Sequence, residues 1–333
     1  MLRVALDLAH ARQSAAGTAR VARSLARALA ARDDVTVVPI GDGALLARDD
    51  PRRRALALYQ DLAWYPVLGR RAARRANADV HHLSLARGPL WRGRPPVSVT
   101  VHDLVPQQLP ETMSGWNRRY SRATHDRLLE AADLVVTSSE TVAAQLRARR
   151  VAVVPLGVAE ELRGPAPGAR PAGEGYVLFV GTPEPRKNLT RLAAAATQAG
   201  LRLVVAGAGG WGDGRPSSGV EWLGRVDDAT LHALYAGAAC LAIPSLDEGF
   251  GLPAVEAMAV GCPVVAARAG ALPEICGDAA VLVDPLDTDA IAAGLLEAVA
   301  RADELRELGR KRAALYTWER SAQLLVSAWR SLT

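Results

Sequence analysis

Short apolar segments alternate with amphipathic helical patterns along the 333 residues, and the alternation runs twice. Leu2–Leu8 reads as a buried strand. After it, Val21, Leu25 and Leu29 recur at i, i+4 and i+8 across a helix predicted from about Thr18 to Arg32. Val35–Ile40, Val97–Val101, Leu134–Thr137 and Val151–Val154 read as further strands. Pro and Gly then dominate residues 163–175, which read as a linker. The pattern restarts with strands Tyr176–Val180, Leu201–Ala206, Val220–Leu223, Cys240–Ile243, Val264–Ala266 and Val281–Val283. Helices are predicted over Leu189–Ala199 and Asp228–Ala236, after residue 251, and from about Asp289 onward. A helix between two strands carries the chain back for parallel pairing, and a parallel sheet needs both faces covered. The expected class is therefore α/β, with two Rossmann-like domains at 1–162 and 176–316. Half of the residues are hydrophobic, enough for two cores in a chain of this length. Ligands of such sheets bind beyond the carboxyl ends of the strands, so the loops there carry the expected chemistry.

Lys and Arg number 40 against 35 Asp and Glu, a formal net charge of +5. The excess is modest, and no nucleic-acid partner is expected from it. Only Lys187 and Lys311 are lysines. The cysteines, Cys240, Cys262 and Cys276, are odd in number and lack C-x-x-C spacing. They read as small buried hydrophobes in a reducing compartment. Residue 2 opens directly into a strand, without the long apolar core of a signal peptide, and no run approaches a membrane span. A soluble, cytoplasmic protein is expected.

Residues 244–262 are the most informative stretch. Glu248 and Glu256 stand seven residues apart; the first precedes a Gly-Phe-Gly-Leu turn and the second lies one turn into the helix that follows. Pro253 suits the first helical position, where its missing N–H would be unpaired in any case, and Gly261 suits the helix stop. The helix start offers backbone N–H groups to a phosphate or to hydroxyls. A carboxylate accepts hydrogen bonds through both oxygens and can take two vicinal hydroxyls. One carboxylate before the helix and one inside it can grip two polyhydroxylated groups flanking a diphosphate, the description of a nucleotide sugar. Upstream, Arg186 and Lys187 lie in the loop after strand 176–180, and Asn188 is placed to cap the next helix. Two cations beside a helix start can clamp a diphosphate without a metal.

Glu-Gly-Phe-Gly-Leu-Pro-x-x-Glu-Ala-Met-Ala-x-Gly-x-Pro-Val-Val-Ala, read without a gap from Glu248 to Ala266, resembles the E-x(7)-E motif of retaining glycosyltransferases of family 4, which have the GT-B fold. The resemblance implies two Rossmann-like domains with parallel sheets facing across a cleft. It also implies that a final helix, in 317–333, crosses back to the first domain. It assigns Arg186 and Lys187 to the leaving diphosphate and the amides of Gly249, Phe250, Gly251 and Leu252 to the same charge. Glu248 goes to the sugar and Glu256 to the ribose. His102, in Thr-Val-His102-Asp103 at the end of a buried strand, resembles the family's His-Asp motif near the transferred sugar, which places Asp103 in the substrate site. Gly17, in Ala16-Gly17-Thr18, matches a donor-phosphate loop with one glycine where the family commonly has two. The backbone near Val226 matches the position that reads the base, while Asp227 and Asp228 are expected to cap a helix. No cofactor and no metal are implied.

The activity implied is transfer of a hexose, GDP-mannose first and UDP-sugars next as donors, to a glycan, lipid-linked or small-molecule hydroxyl acceptor. Arg52–Arg54, Arg70, Arg71, Arg74 and Arg75 bracket Tyr59, Trp64 and Tyr65, a composition that suits peripheral contact with an anionic membrane. Arg118, Arg119 and Arg122 lie near Trp116 and Tyr120 as a further acceptor-side group, and His82 ends the strand before His102's. Two alternatives stay open: a non-catalytic nucleotide-sugar-binding subunit, and a GT-B nucleotide-sugar epimerase.

Overall fold

A computed structural model describes residues 1–12, 17–46, 50, 52–109, 111, 115–164, 173, 175–207, 209 and 219–333, without the side chains of 106 and 117. Residues 165–172 and 174 of the expected linker, and Ala16 of the glycine loop, lie outside the described residues. The chain divides into two compact units, Met1–Gly157 with Trp318–Thr333, and Val158–Thr317.

The first unit holds strands β1 (Leu2–Asp7), β2 (Val35–Ile40), β3 (Val80–Leu83), β4 (Val97–Val101), β5 (Leu134–Thr137) and β6 (Val151–Val153), in the order β2-β1-β3-β4-β5-β6. Every pairing is parallel. Its helices are α1 (Gly17–Ala30), α2 (Arg52–Tyr59), α3 (Gly69–Arg75), α4 (Val105–Gln108), α5 (Gly115–Ala131) and α6 (Glu140–Ala143), and a π-helical stretch, Gln60–Leu68, joins α2 to α3. Strand alternation sends Leu134 and Val136 to one core and Val135 to the other, so each face of the sheet has its own apolar layer.

The second unit holds β7 (Tyr176–Val180), β8 (Leu203–Ala206), β9 (Val220–Gly224), β10 (Ala238–Ile243), β11 (Val264–Ala267) and β12 (Val281–Val283), in the order β12-β11-β10-β7-β8-β9, again all parallel. Its helices are α7 (Leu189–Gln198), α8 (Asp228–Gly237), α9 (Leu252–Val260), α10 (Leu272–Cys276), α11 (Thr288–Ala300) and α12 (Ala302–Ala313). Tyr176 and Leu178 face one core with Leu234, Ala257 and Met258. Val177 and Phe179 face the other with Leu192, Ile291 and Leu295. Such two-sided burial explains why β7 reads as an unbroken apolar run. The last helix, α13 (Trp318–Arg330), is part of the first unit, where Ala322, Leu325, Val326 and Trp329 join its core. Among the described residues no helix is long and apolar enough to cross a membrane. All three cysteines are buried and unpaired; burial pushes the Cys240 and Cys276 thiols up to about 12, leaving them inert.

Candidate functional site

In the second sheet the chain winds outward from β7 in both directions, to β8 and β9 on one side and to β10, β11 and β12 on the other. The loops after β7 and β10 therefore meet at a topological switch point, where open α/β sheets bind ligands. The first of these loops carries Arg186 and Lys187 in a 3₁₀ turn, Pro185–Lys187, and the second carries Ser245 to Glu248. They are stitched together by the Leu246 N–H, which donates to the Arg186 carbonyl at 2.8 Å. Backbones crowd at this end of the sheet: a Cβ on Gly207, just past β8, would stand 1.8 Å from the Gly181 carbonyl oxygen.

Asn188 occupies the residue before α7, but its side chain does not cap that helix. It sits at φ 59°, left-handed, and its Nδ2 donates to the carbonyls of Pro244 at 3.0 Å and Pro285 at 2.6 Å. This corrects the expected cap: in the left-handed conformation Asn188 turns its amide to the loops beyond β10 and β12.

Glu248 is 8% exposed and carries cations on both oxygens. Lys187 Nζ contacts Oε1, Arg186 Nη1 stands 3.2 Å from Oε2, and Ser245 Oγ donates to Oε1 at 2.8 Å. Burial alone would raise its pKa; Lys187, Arg186 and the two hydrogen bonds outweigh it and hold the carboxyl at about 2. Arg186 is further fixed by Glu184 Oε1 and the Asp247 carbonyl, each at 2.6 Å. The three residues singled out in the sequence thus form one ion cluster.

Gly251, at φ 83°, starts α9, and a Cβ there would come within 2.5 Å of Leu272 Cδ2, so only glycine fits both the turn and the packing. Leu252 and Pro253 open the helix, and Gly261 ends it at φ 86°. The Phe250 side chain is 4% exposed and packs edge-on against Tyr316, with centroids 5.4 Å apart. That contact anchors the turn and holds the Phe250 ring in the core. Glu256, 3% exposed, accepts a hydrogen bond from Tyr235 Oη at 3.0 Å. Val226 follows β9 and packs partly buried on the core, while Asp227 caps α8 by accepting from Thr230 N at 2.7 Å.

In the first unit His102 and Asp103 follow β4. His102 Nε2 lies 3.0 Å from the Ser84 carbonyl, which only accepts, so Nε2 carries the proton. Burial lowers the His102 pKa, partly opposed by that bond, so the neutral ring presents Nδ1 as an acceptor. Asp103 accepts from the Val105 N–H at 3.3 Å instead of pairing with His102. Gly17 begins α1, with nothing within 4 Å of where a Cβ would be. His82 is fully buried, its ring nitrogens 3.0 Å from Ser98 Oγ and 3.2 Å from Thr100 Oγ1, with Trp329 packed edge-on, the surroundings of a core histidine. The basic–aromatic patch is also smaller than expected. Arg70 is buried and donates to the Trp91 carbonyl, Trp64 donates to Asp7, and Tyr65 is 3% exposed. Among the described residues no group of three His, Cys, Asp or Glu is placed to hold a metal ion.

Sequence reasoning missed Glu184, Ser245 and Tyr235. A signal existed for the last: a tyrosine at i+4 from Leu231 on the buried face of α8 must bring a partner for its hydroxyl.

Residues 174–301 match the family described as Glycosyl transferases group 1, and residues 15–162 match Glycosyltransferase Family 4. The chain is 32% identical to O-antigen chain mannosyltransferase B of Escherichia coli over 266 residues, 70% of each chain. The sucrose-phosphate synthase of Thermosynechococcus elongatus superposes with a TM-score of 0.73 at 23% identity, covering 100% of this chain and 99% of that one. Anabaena HepE, in complex with UDP and glucose, superposes with a TM-score of 0.69 at 18% identity, covering 99% and 100%. The structural likenesses give the GT-B fold class, and the sequence matches in both units, with the relative covered over more than two thirds of its length, give the family: the chain belongs to the family-4 glycosyltransferases.

Proposed function

We propose that this glycosyltransferase moves a hexose from a nucleoside-diphosphate sugar to a hydroxyl acceptor with retention of configuration and without a metal. The observation that carries the reading is the cluster of Arg186, Lys187 and Glu248 at the switch point of the second sheet, beside the start of α9 and with Glu256 buried in that helix. Arg186 and Lys187 take the charge that grows on the diphosphate as the glycosyl bond loosens to an oxocarbenium-like ion, together with amides of Gly249 to Leu252. The departing phosphate accepts the proton of the incoming hydroxyl on the same face, which retains configuration. Glu248 accepts hydroxyls of the sugar, Glu256 those of the ribose, and His102 Nδ1 accepts from a further sugar hydroxyl. Asp103 and Gly17 belong to the same substrate set, and the backbone at Val226 reads the base.

Similarity to a mannosyltransferase supports mannose as the sugar, and GDP-mannose is the first donor to test, UDP-sugars the next. Peripheral contact with an anionic membrane belongs to the same reading: Tyr59, Leu62 and Trp116 are exposed, as are Arg52, Arg54, Arg118, Arg119 and Arg122. Vesicles containing phosphatidylserine should retain the protein at low salt. The deciding experiment incubates the protein with GDP-mannose, UDP-glucose and other nucleotide sugars, with and without EDTA. Release of nucleoside diphosphate that persists in EDTA is the expected result. Binding without any turnover, with all acceptors supplied, would favour a non-catalytic sugar-nucleotide subunit.

A further inference from the structure

Glu248 and a diphosphate compete for the same two cations. Lys187 and Arg186 hold one oxygen each of the Glu248 carboxylate, and their side chains are only 16% and 11% exposed, so water screens the pairs little. The cluster is also balanced in charge: Glu184 and Glu248 offset Arg186 and Lys187. A multiply negative diphosphate entering here cannot simply add to it. It must draw the cations off Glu248, or two buried groups of like sign would be left face to face.

We propose that Glu248 couples recognition of the two halves of the donor: the diphosphate takes Lys187 and Arg186 from it, and the carboxylate so released becomes the acceptor for the sugar hydroxyls. The idea rests on the donor-site reading above. The exchange is confined to side chains, because the loop backbones are tied. Leu246 N donates to the Arg186 carbonyl at 2.8 Å, and the Glu248 carbonyl accepts from Ala271 N at 2.7 Å. Arg186 keeps two partners throughout, Glu184 and the Asp247 carbonyl, so it swings little, and Lys187 makes the larger move. Two consequences follow from the competition. Bare nucleoside diphosphate binds less tightly than the cations alone would allow. A free hexose finds Glu248 engaged and gains affinity only when a diphosphate is present, which favours nucleotide-linked sugar over free sugar.

The test uses the full chain and named probes. Calorimetry with GDP and with UDP is run on the wild type and on Glu248→Gln, whose folding is checked by thermal denaturation. In the variant the diphosphate no longer competes with a carboxylate, and its affinity should rise about tenfold, the scale of one charge-assisted hydrogen bond. Unchanged or weaker binding overturns the proposal. On the wild type alone, saturation-transfer NMR measures free mannose and free glucose with and without the diphosphate. A hexose signal that grows when the diphosphate is added supports the coupling; equal signals, or none in either state, overturn it, and this arm decides if the variant does not fold. Failure of both GDP and UDP to bind the wild type is a different outcome, which removes the donor-site reading and the coupling with it.

Discussion

Tyr235 on α8 holds Glu256 on α9 by donating its hydroxyl to Oε2 at 3.0 Å, in a setting where the tyrosine is fully buried and the glutamate nearly so. The bond selects the rotamer of a carboxylate that the proposed function assigns to the ribose. Tyr235→Phe keeps the ring in the core and removes only the hydroxyl. Unfolding should cost about 1–2 kcal/mol less than in the wild type, and nucleoside diphosphate should bind roughly tenfold more weakly, as expected when a hydrogen bond to a charged group is lost. Chemical denaturation and calorimetry on one preparation check both. Unaltered nucleotide affinity with lowered stability would make Tyr235 a core residue only.

Lys187 is assigned by the proposed function to the group whose charge grows during bond breaking. Its contribution should be larger in the transition state than in the bound ground state. Lys187→Ala is expected to lower kcat by about 10²-fold, the scale for losing one donor to a developing oxyanion. Steady-state kinetics with the best donor decide the point. A rise in KM with kcat unchanged would mean that the lysine binds substrate and transition state equally.

Much of this was legible because parallel sheets write themselves plainly in sequence. Each expected strand from Tyr176–Val180 to Val281–Val283 is present within two residues of its bounds, since two-sided burial leaves continuous apolar runs. Gly261 as helix stop and Asp227 as cap were equally readable. What sequence could not give was which polar groups meet. Lys187 and Glu248 are 61 residues apart, and only the adjacency of β7 and β10 joins their loops. Asn188 looked like a cap because cap preference is a local signal, whereas its actual partners lie 56 and 97 residues away. His82 and His102 end neighbouring strands, and only the packing of α13 through Trp329 shows that the first is sealed inside.

Asn188 offers a stability test that separates its side chain from its backbone. Its amide donates to both the Pro244 and the Pro285 carbonyls, and the residue is 8% exposed. Asn188→Gly preserves the left-handed conformation and loses the bonds, for a cost of roughly 2 kcal/mol. Asn188→Ala loses the bonds and, unlike glycine, keeps a Cβ at φ 59° without asparagine's tolerance of that region, for roughly 1 kcal/mol more than the Gly variant. Denaturant midpoints should therefore fall in the order wild type, Gly, Ala. Equal Gly and Ala variants would show that the backbone at 188 relaxes out of the left-handed region.

Acid should weaken the two units in separate pH windows. In the first unit burial lowers the pKa of His10 to about 4 and of His82 to about 3, the latter with His81 and His102 adding, and burial lowers His102 and His125 as well. A histidine whose folded pKa lies below its unfolded value of 6.5 contributes stability that is complete above 6.5 and drains away as pH falls toward the folded value. Each such group adds a slope of up to about 1.4 kcal/mol per pH unit in that window. In the second unit Glu248, held at about 2 against 4.5, contributes stability that is lost only between those two values. Tryptophans at 64, 91, 116, 318 and 329 report the first unit, and Trp211 and Trp222 report the second. Substituting both Trp211 and Trp222 by Phe, or keeping only those two, separates the two signals in thermal scans taken from pH 7 to 3. The first-unit transition should move down in temperature from pH 6.5, while the second-unit transition holds to about pH 4.5. Simultaneous loss of both signals from pH 6.5 would mean that the buried histidines govern the whole chain and that the units do not unfold independently.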